Sequence, residues 1–295
     1  VFAQWHVPDS SPTYCIDPVT GSSTPCTTQS TYVPVGEDGN YEIDKASYSF
    51  ISQANGTLAF QDSVTGLLWL TGVPSVGSVN DAETACCNQG TSWRVPTIIE
   101  LASLFDFGHS PPFYPNGNNV DGGSPKYWAI ENSLTNFSTG DVYLPPDAGM
   151  VSLLCVQDAF GSTSGPVVPT FTANGSGTLY TDSNTHLTWY TGLSNADDWQ
   201  SALDTCNNLN ATGICDQWRL PSYKELLTLL AADVSLPPSN TFPSHLNGKY
   251  WSSTPEPSQT QYPILGVNFA QDTSIHLPLI ISSGNGAGVL CVSGP

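Results

Sequence analysis

Trp218-Arg219-Leu220-Pro221-Ser222-Tyr223-Lys224-Glu225-Leu226 has an earlier counterpart in the same chain, Trp93-Arg94-Val95-Pro96-Thr97-Ile98-Ile99-Glu100-Leu101. Trp, Arg, Pro, a hydroxyl residue, Glu and Leu keep the same spacing in both. Each part has a local physical meaning. Pro ends the strand before it, because it has no N–H to give a ladder. Ser or Thr with Glu three positions on is a capping box, which starts a helix. Trp fills a core, and Arg presents a planar donor fork to backbone carbonyls or to a carboxylate. A functional reading would make Arg94 and Arg219 ligand-binding cations and Glu100 and Glu225 acid/base groups. The structural reading accounts for more of the motif, so Trp93, Arg94, Glu100, Trp218, Arg219 and Glu225 are assigned to the scaffold.

Moving outward, more of the chain recurs. Gly56-Thr57-Leu58, a turn from Asp62 to Thr65 and a strand ending at Trp69 return as Gly177-Thr178-Leu179, Asp182 to Thr185, and Trp189. A Cys-bearing helix follows in each copy. Trp199, Ala202, Leu203, Cys206 and Leu209 form one apolar stripe at helical spacing, and Val79, Ala82 and Cys86 hold the same face. After the Trp-Arg-x-Pro helix come a Tyr-Trp strand (Tyr127-Trp128, Tyr250-Trp251) and a closing strand, Leu154-Cys155-Val156 or Leu290-Cys291-Val292. A period above 100 residues is too long for a solenoid. It predicts two tandem globular domains, repeat 1 at 51–158 and repeat 2 at 177–295, joined by a Gly-, Ser-, Thr- and Pro-rich linker at 159–176. Residues 1–50 match neither repeat. They form an extended arm, short of large apolar residues, that packs on a repeat or on a neighbouring molecule.

Eight cysteines point to an oxidising compartment. No Cys-x-x-Cys pair occurs and no His lies beside a Cys pair, which favours disulfides over metal ligation. The duplicated frame assigns one staple per repeat, Cys86–Cys155 and Cys206–Cys291, and Cys15 with Cys26 closes a local loop. Cys87 and Cys215 have no counterparts. Two pairings stay open for them, with each other or with a neighbouring subunit.

Charge excludes several partners. The chain has 25 acidic and 6 basic residues, a net charge of -19. Nucleic acid and anionic membranes need clustered Lys and Arg that this chain lacks. No apolar run reaches the ~18 residues of a membrane span. Val1-Phe2-Ala3 at the start reads as a mature exported chain from which a signal has been removed.

No catalytic constellation is present. The histidines (His6, His109, His186, His245, His276) are scattered, without a His-Glu-x-x-His or Gly-x-Ser-x-Gly motif. No reaction and no cofactor are expected. Asp62 and Asp182 sit in matched turns where Asp normally caps its own backbone; calcium there is left open. Asn55, Asn136, Asn174 and Asn210 head glycosylation sequons.

Gly177-Thr178-Leu179, Asp182 through Trp189, Cys206-Asn207, the Trp218–Leu226 block, Tyr250-Trp251-Ser252-Ser253-Thr254 and Val289-Leu290-Cys291-Val292-Ser293-Gly294 together resemble the Lcl C-terminal domain family, named for a bacterial collagen-like adhesin. The resemblance spans roughly residues 51–295 as two copies. The Cys15-Ile16-Asp17-Pro18 and Gly36-Glu37-Asp38-Gly39 segments look like the leader that precedes such domains. The first copy departs from the pattern: Val79 stands for Trp199, the Cys-to-Trp connection is shorter, and Ala129-Ile130 replace Ser252-Ser253. The resemblance implies an α+β fold, two tandem C-type-lectin-like domains, each with a disulfide near its ends. It implies extracellular adhesion or carbohydrate contact and no assigned reaction. Glycosaminoglycan binding does not carry over, because six basic residues build no broad cationic groove. The expected function is therefore a structural or adhesive surface protein at the cell exterior. It would be the subunit of a homopolymeric filament, with Phe2 and Trp5 of the arm adding to a neighbour. The alternative is a monomeric carbohydrate-binding module.

Overall fold

The computed structural model describes residues 7–10, 12–16, 23–26, 37–38, 45–52, 58–90, 92–108, 126–130, 133–138, 141–143, 149–158, 170–210, 217–234, 246–255, 264–269, 278–281 and 286–294. The architecture is α+β. The arm contributes a small antiparallel pair, β1 (Tyr14–Ile16) and β2 (Ser23–Pro25), cross-linked by Cys15–Cys26.

The first lobe runs β3 (Tyr48–Ser52), β4 (Leu58–Asp62), β5 (Leu67–Val76), α1 (Val79–Cys87), α2 (Ile98–Ser103), β6 (Lys126–Ala129), β7 (Ser133–Asn136), β8 (Asp141–Tyr143) and β9 (Val151–Asp158). Its strands form one sheet in the order β3-β4-β5-β9-β6-β7-β8. The eight-residue β9 binds the sheet together, antiparallel to β5 and parallel to β6 through Tyr127 and Ser152.

The second lobe repeats the order: β10 (Phe171–Ala173), β11 (Leu179–Asp182), β12 (Thr188–Tyr190), α3 (Trp199–Leu209), α4 (Tyr223–Val234), β13 (Lys249–Pro255), β14 (Ile264–Asn268), β15 (Pro278–Ile281) and β16 (Cys291–Ser293). Here the last strand is short and the sheet is divided into β10-β11-β12-β16 and β13-β14-β15. The parallel link survives as one bridge, Tyr250 to Gly288. A side chain at Gly288 would begin 2.5 Å from the Tyr250 ring, so the close approach requires glycine.

Two boundaries differ from the sequence reading. Phe171–Ala173, inside the stretch expected to be a linker, is strand β10, and β3 begins before residue 51. Asp62 and Asp182 mark equivalent points. Tyr48 pairs with the first and Phe171 with the second, so each lobe opens one strand earlier than its motif suggests. Gly- and Thr-rich flanks hide such short strands.

The two lobes share a core. One buried cluster joins Phe60, Trp69, Leu101 and Phe107 of the first lobe to Tyr223, Leu227 and Val267 of the second. Helix α2 packs on α4, and Phe107 meets Tyr223 edge to face at 5.7 Å. Each fully buried large apolar side chain is worth about 1.5–3 kcal/mol, so pulling the lobes apart would forfeit several such terms. Each lobe also keeps a separate cluster behind its disulfide, around Trp128 and Cys155 in one and Trp218, Trp251 and Cys291 in the other.

Candidate functional site

The duplicated motif builds the same device in both lobes. The Arg94 backbone makes a two-way bridge with Val156, at 3.0 and 2.8 Å, which fixes the stem of its side chain against β9. Its guanidinium then forks onto Glu100, Nη1 to Oε2 at 2.7 Å and Nη2 to Oε1 at 2.6 Å. Glu100 is fully buried and also accepts the Thr97 N–H at 2.8 Å, while Thr97 Oγ1 takes the Glu100 N–H. The carboxylate thus completes the helix cap and neutralises the arginine at once. Arg219 repeats the fork onto Glu225 at 2.7 and 2.6 Å, and Ser222 N donates to Glu225 at 2.7 Å. Arg94 has a further partner in Asp158, at 3.5 Å. Gly294 holds the equivalent place after β16.

In the second lobe the arm supplies a carboxylate instead. Asp38 is buried, accepts the Thr254 hydroxyl, and lies within electrostatic reach of Arg219 and Glu225. Thr254 Oγ1 accepts the Tyr223 N–H at 2.8 Å, so the arm is tied to the first turn of α4 through one hydroxyl. Burial, joined by the Glu225 charge, pushes Asp38 up to about 6 against the pull of Thr254 and Arg219. Next to it Glu37 accepts the Ile16 N–H at 2.7 Å. Burial pushes Glu37 to about 9, so at neutral pH it is an uncharged acid. In the sequence Glu37 and Asp38 stand out only as part of the leader-like Gly36–Gly39 segment; nothing local signals their burial.

Lys224 is the other group missed. It is buried, and its ammonium donates to Asp9 O at 2.9 Å and Ser103 O at 3.0 Å, joining arm, first lobe and second lobe. Burial lowers it to about 8, opposed by the carboxylates of Asp9, Asp106, Asp62 and Asp38. The matching residue in the first lobe is Ile99, which is plainly apolar. Two further contacts seat the arm, Phe107 N to Ser10 O and Thr13 Oγ1 to Gly108 O, both 3.0 Å. Ile16 completes the second lobe's cluster.

Disulfides join Cys86 to Cys155 and Cys206 to Cys291, both with Cα atoms 5.5 Å apart. They close loops of 69 and 85 residues, worth about 4–5 kcal/mol each in the chain-entropy model. Cys87 is a free, exposed thiol. Cys215, Phe2, Trp5, Asn55, His6, His109, His245 and His276 lie outside the described residues.

The sequons differ in what their amides already do. Asn210 spends both ends of its side chain on the Trp218 backbone, at 2.9 and 2.6 Å. Asn136 is buried. Asn174 is exposed, and its Oδ1 accepts Ser176 Oγ, Thr178 N and Leu179 N. The Asp62 carboxylate is spent on its own turn, taking Val64 N and Thr65 Oγ1, and Asp182 takes Asn184 N and Thr185 Oγ1. Among the described residues no three His, Cys, Asp or Glu side chains converge as a metal site, and no helix is long and apolar enough to cross a membrane.

No curated protein and no solved structure matches the chain. The second lobe does match a known family model: residues 178–292, from the Thr178 hairpin to the Val292 strand that bridges Arg219, are similar to the Lcl C-terminal domain.

Proposed function

We propose that this chain is a non-enzymatic structural or adhesive protein of the cell exterior, the repeating subunit of a homopolymer, built from two Lcl-type, C-type-lectin-like lobes. Several features support the reading. The Lcl match covers the second lobe, and the first follows the same element order. Among the described residues three disulfides and a shared core cross-brace the body, as an exterior subunit under tension would need. The carrying observation is that each lobe ends its sheet on a strand with one neighbour among the described residues, β3 in one and β10 in the other. One body therefore offers two similar edges, and unpaired edges recruit further strands. The first residues of the arm, with Phe2 and Trp5, are assigned to a neighbouring subunit.

Negative-stain microscopy and sedimentation velocity of the purified chain test this. Filaments or large discrete oligomers are expected. A single 31.3 kDa species at high concentration would overturn the reading. Binding on a glycan array by such a monomer would establish the carbohydrate-binding module in its place.

A further inference from the structure

We infer that the edge strand β3 is a two-fold contact surface whose partner is the β3 strand of a second copy of this chain. The inference rests on the self-association proposed above and names its interface. Among the described residues, three of the four exposed large apolar side chains lie here, Met150 being the fourth: Phe50 is 65 % exposed, Leu58 52 % and Ile51 38 %. The β3–β4 register places Phe50 beside Phe60 and Ser52 beside Leu58, so Phe50 and Leu58 share one face and Ile51 lies on the other. Phe50, Phe60 and Trp69 form an aromatic row across three strands, with centroids 6.1 and 6.2 Å apart. Phe60 and Trp69 are buried, so the row ends in solvent at Phe50.

The fold does not require this. In the second lobe the strand equivalent to β3 carries Ala173 at the Phe50 position, counting from Phe171 opposite Asp182 and Tyr48 opposite Asp62. That strand exposes Thr172 and Ala173. A large aromatic at the edge of only one lobe marks a surface with a use.

The backbone identifies the partner. Ser63 N–H donates to Ser47 O at 2.9 Å, which makes that pair a hydrogen-bonded one in the antiparallel ladder. Two residues at a time, Ser49 and Ile51 then also face β4. Tyr48, Phe50 and Ser52 turn their N–H and C=O groups to the open side. A second β3, antiparallel with its Phe50 opposite Phe50, matches each of these groups: Tyr48 meets Ser52, Phe50 meets Phe50, and Ser52 meets Tyr48. The edge is self-complementary about a two-fold axis. Charge makes the same choice. Copies carrying -19 each repel over most of their surface, whereas Ala46 to Gln61 contains no charged residue. A like-charged copy can approach here at least cost, and a cationic partner would find its attraction elsewhere. The edge also lacks the Lys, Pro or bulge that normally blocks such pairing.

Sedimentation velocity over a concentration series compares the intact chain with Phe50→Lys and Ser52→Pro, each checked for unchanged melting. Phe50→Lys should weaken pairing about 100-fold or more, by placing charge against charge at the axis. Ser52→Pro keeps the aromatic and removes one outward N–H per strand, and should cost about 10-fold. Pairing lost in Phe50→Lys and weakened in Ser52→Pro supports the inference. Pairing lost in Phe50→Lys but untouched in Ser52→Pro overturns strand addition. Assembly of Phe50→Lys identical to that of the intact chain overturns the interface and leaves the polymer reading standing. A monomeric intact chain overturns both.

Discussion

Replacing Arg219 by Lys separates a scaffold arginine from a ligand-binding one. Arg219 gives Glu225 two short bonds, with side-chain exposures of 13 % and 6 %. Lysine keeps the charge but lacks the planar fork, so one charge-assisted bond is lost. Such bonds are worth about 1.5–3 kcal/mol. For a body of this size about 1 kcal/mol moves the melting temperature by about 2–4 °C, so Arg219→Lys should melt roughly 3–12 °C lower. Arg219→Met should fare worse, at about 3–5 kcal/mol, because it strands a buried carboxylate. It also leaves Glu225 beside Asp38 without the intervening cation. Arg219→Met with Glu225→Met should recover much of the loss, since an apolar pair strands no charge. Calorimetry or near-ultraviolet circular dichroism reads all three. A Lys variant melting within about 1 °C of the parent would refute the reasoning. So would a double variant no better than Arg219→Met.

The raised acids of the arm predict that stability falls as pH rises. Glu37 and Asp38 hold protons in the folded state that the unfolded chain releases above about 4.5 and 3.8, so the folded state loses ground up to about 9 and 6 respectively. Glu37→Gln should flatten the melting profile between pH 5 and 8 and raise the melting temperature at pH 7.5; an unaltered slope would remove Glu37 as its source. His186 has φ of 60° where the first lobe has Gly66 at 70°. A left-handed non-glycine residue costs about 1–2 kcal/mol, so His186→Gly should be neutral or stabilising by about 1 kcal/mol in chemical denaturation, and clear destabilisation would show that the exposed imidazole has a role.

Much of the frame could be read from the repeated motif because its signals are local. The capping residues, Asp turns and helix stripes act within a few positions, and they lie where their spacing puts them. Leu203 and Cys206 face inward as the stripe requires. Strands β7, β8, β14 and β15 are not legible in the sequence, since β7 is largely polar, β8 is three residues long, and β14 and β15 are apolar runs without alternation. The shared core escaped for a different reason. Leu101 and Leu227 show that a face is apolar, but not whether it meets its own lobe or the other. Lys224 and Asp38 look like ordinary surface residues in sequence; long-range packing of the arm on the lobes, and for Lys224 of one lobe on the other, buries them.

The Ile99–Lys224 difference has a consequence for how a duplicated body acquires direction. Two identical lobes around a common core would offer the arm two equivalent berths, and a chain with two berths has no fixed front or back. An ammonium that takes the carbonyls of Asp9 and Ser103 exists in one lobe only. Together with the tie of Asp38 to Thr254, that divergence breaks the internal symmetry and favours one berth, and the other lobe differs at its rim, as Phe50 against Ala173 illustrates. The two ends of each molecule are told apart, in any array it joins, partly by this exchange of an apolar side chain for a cation.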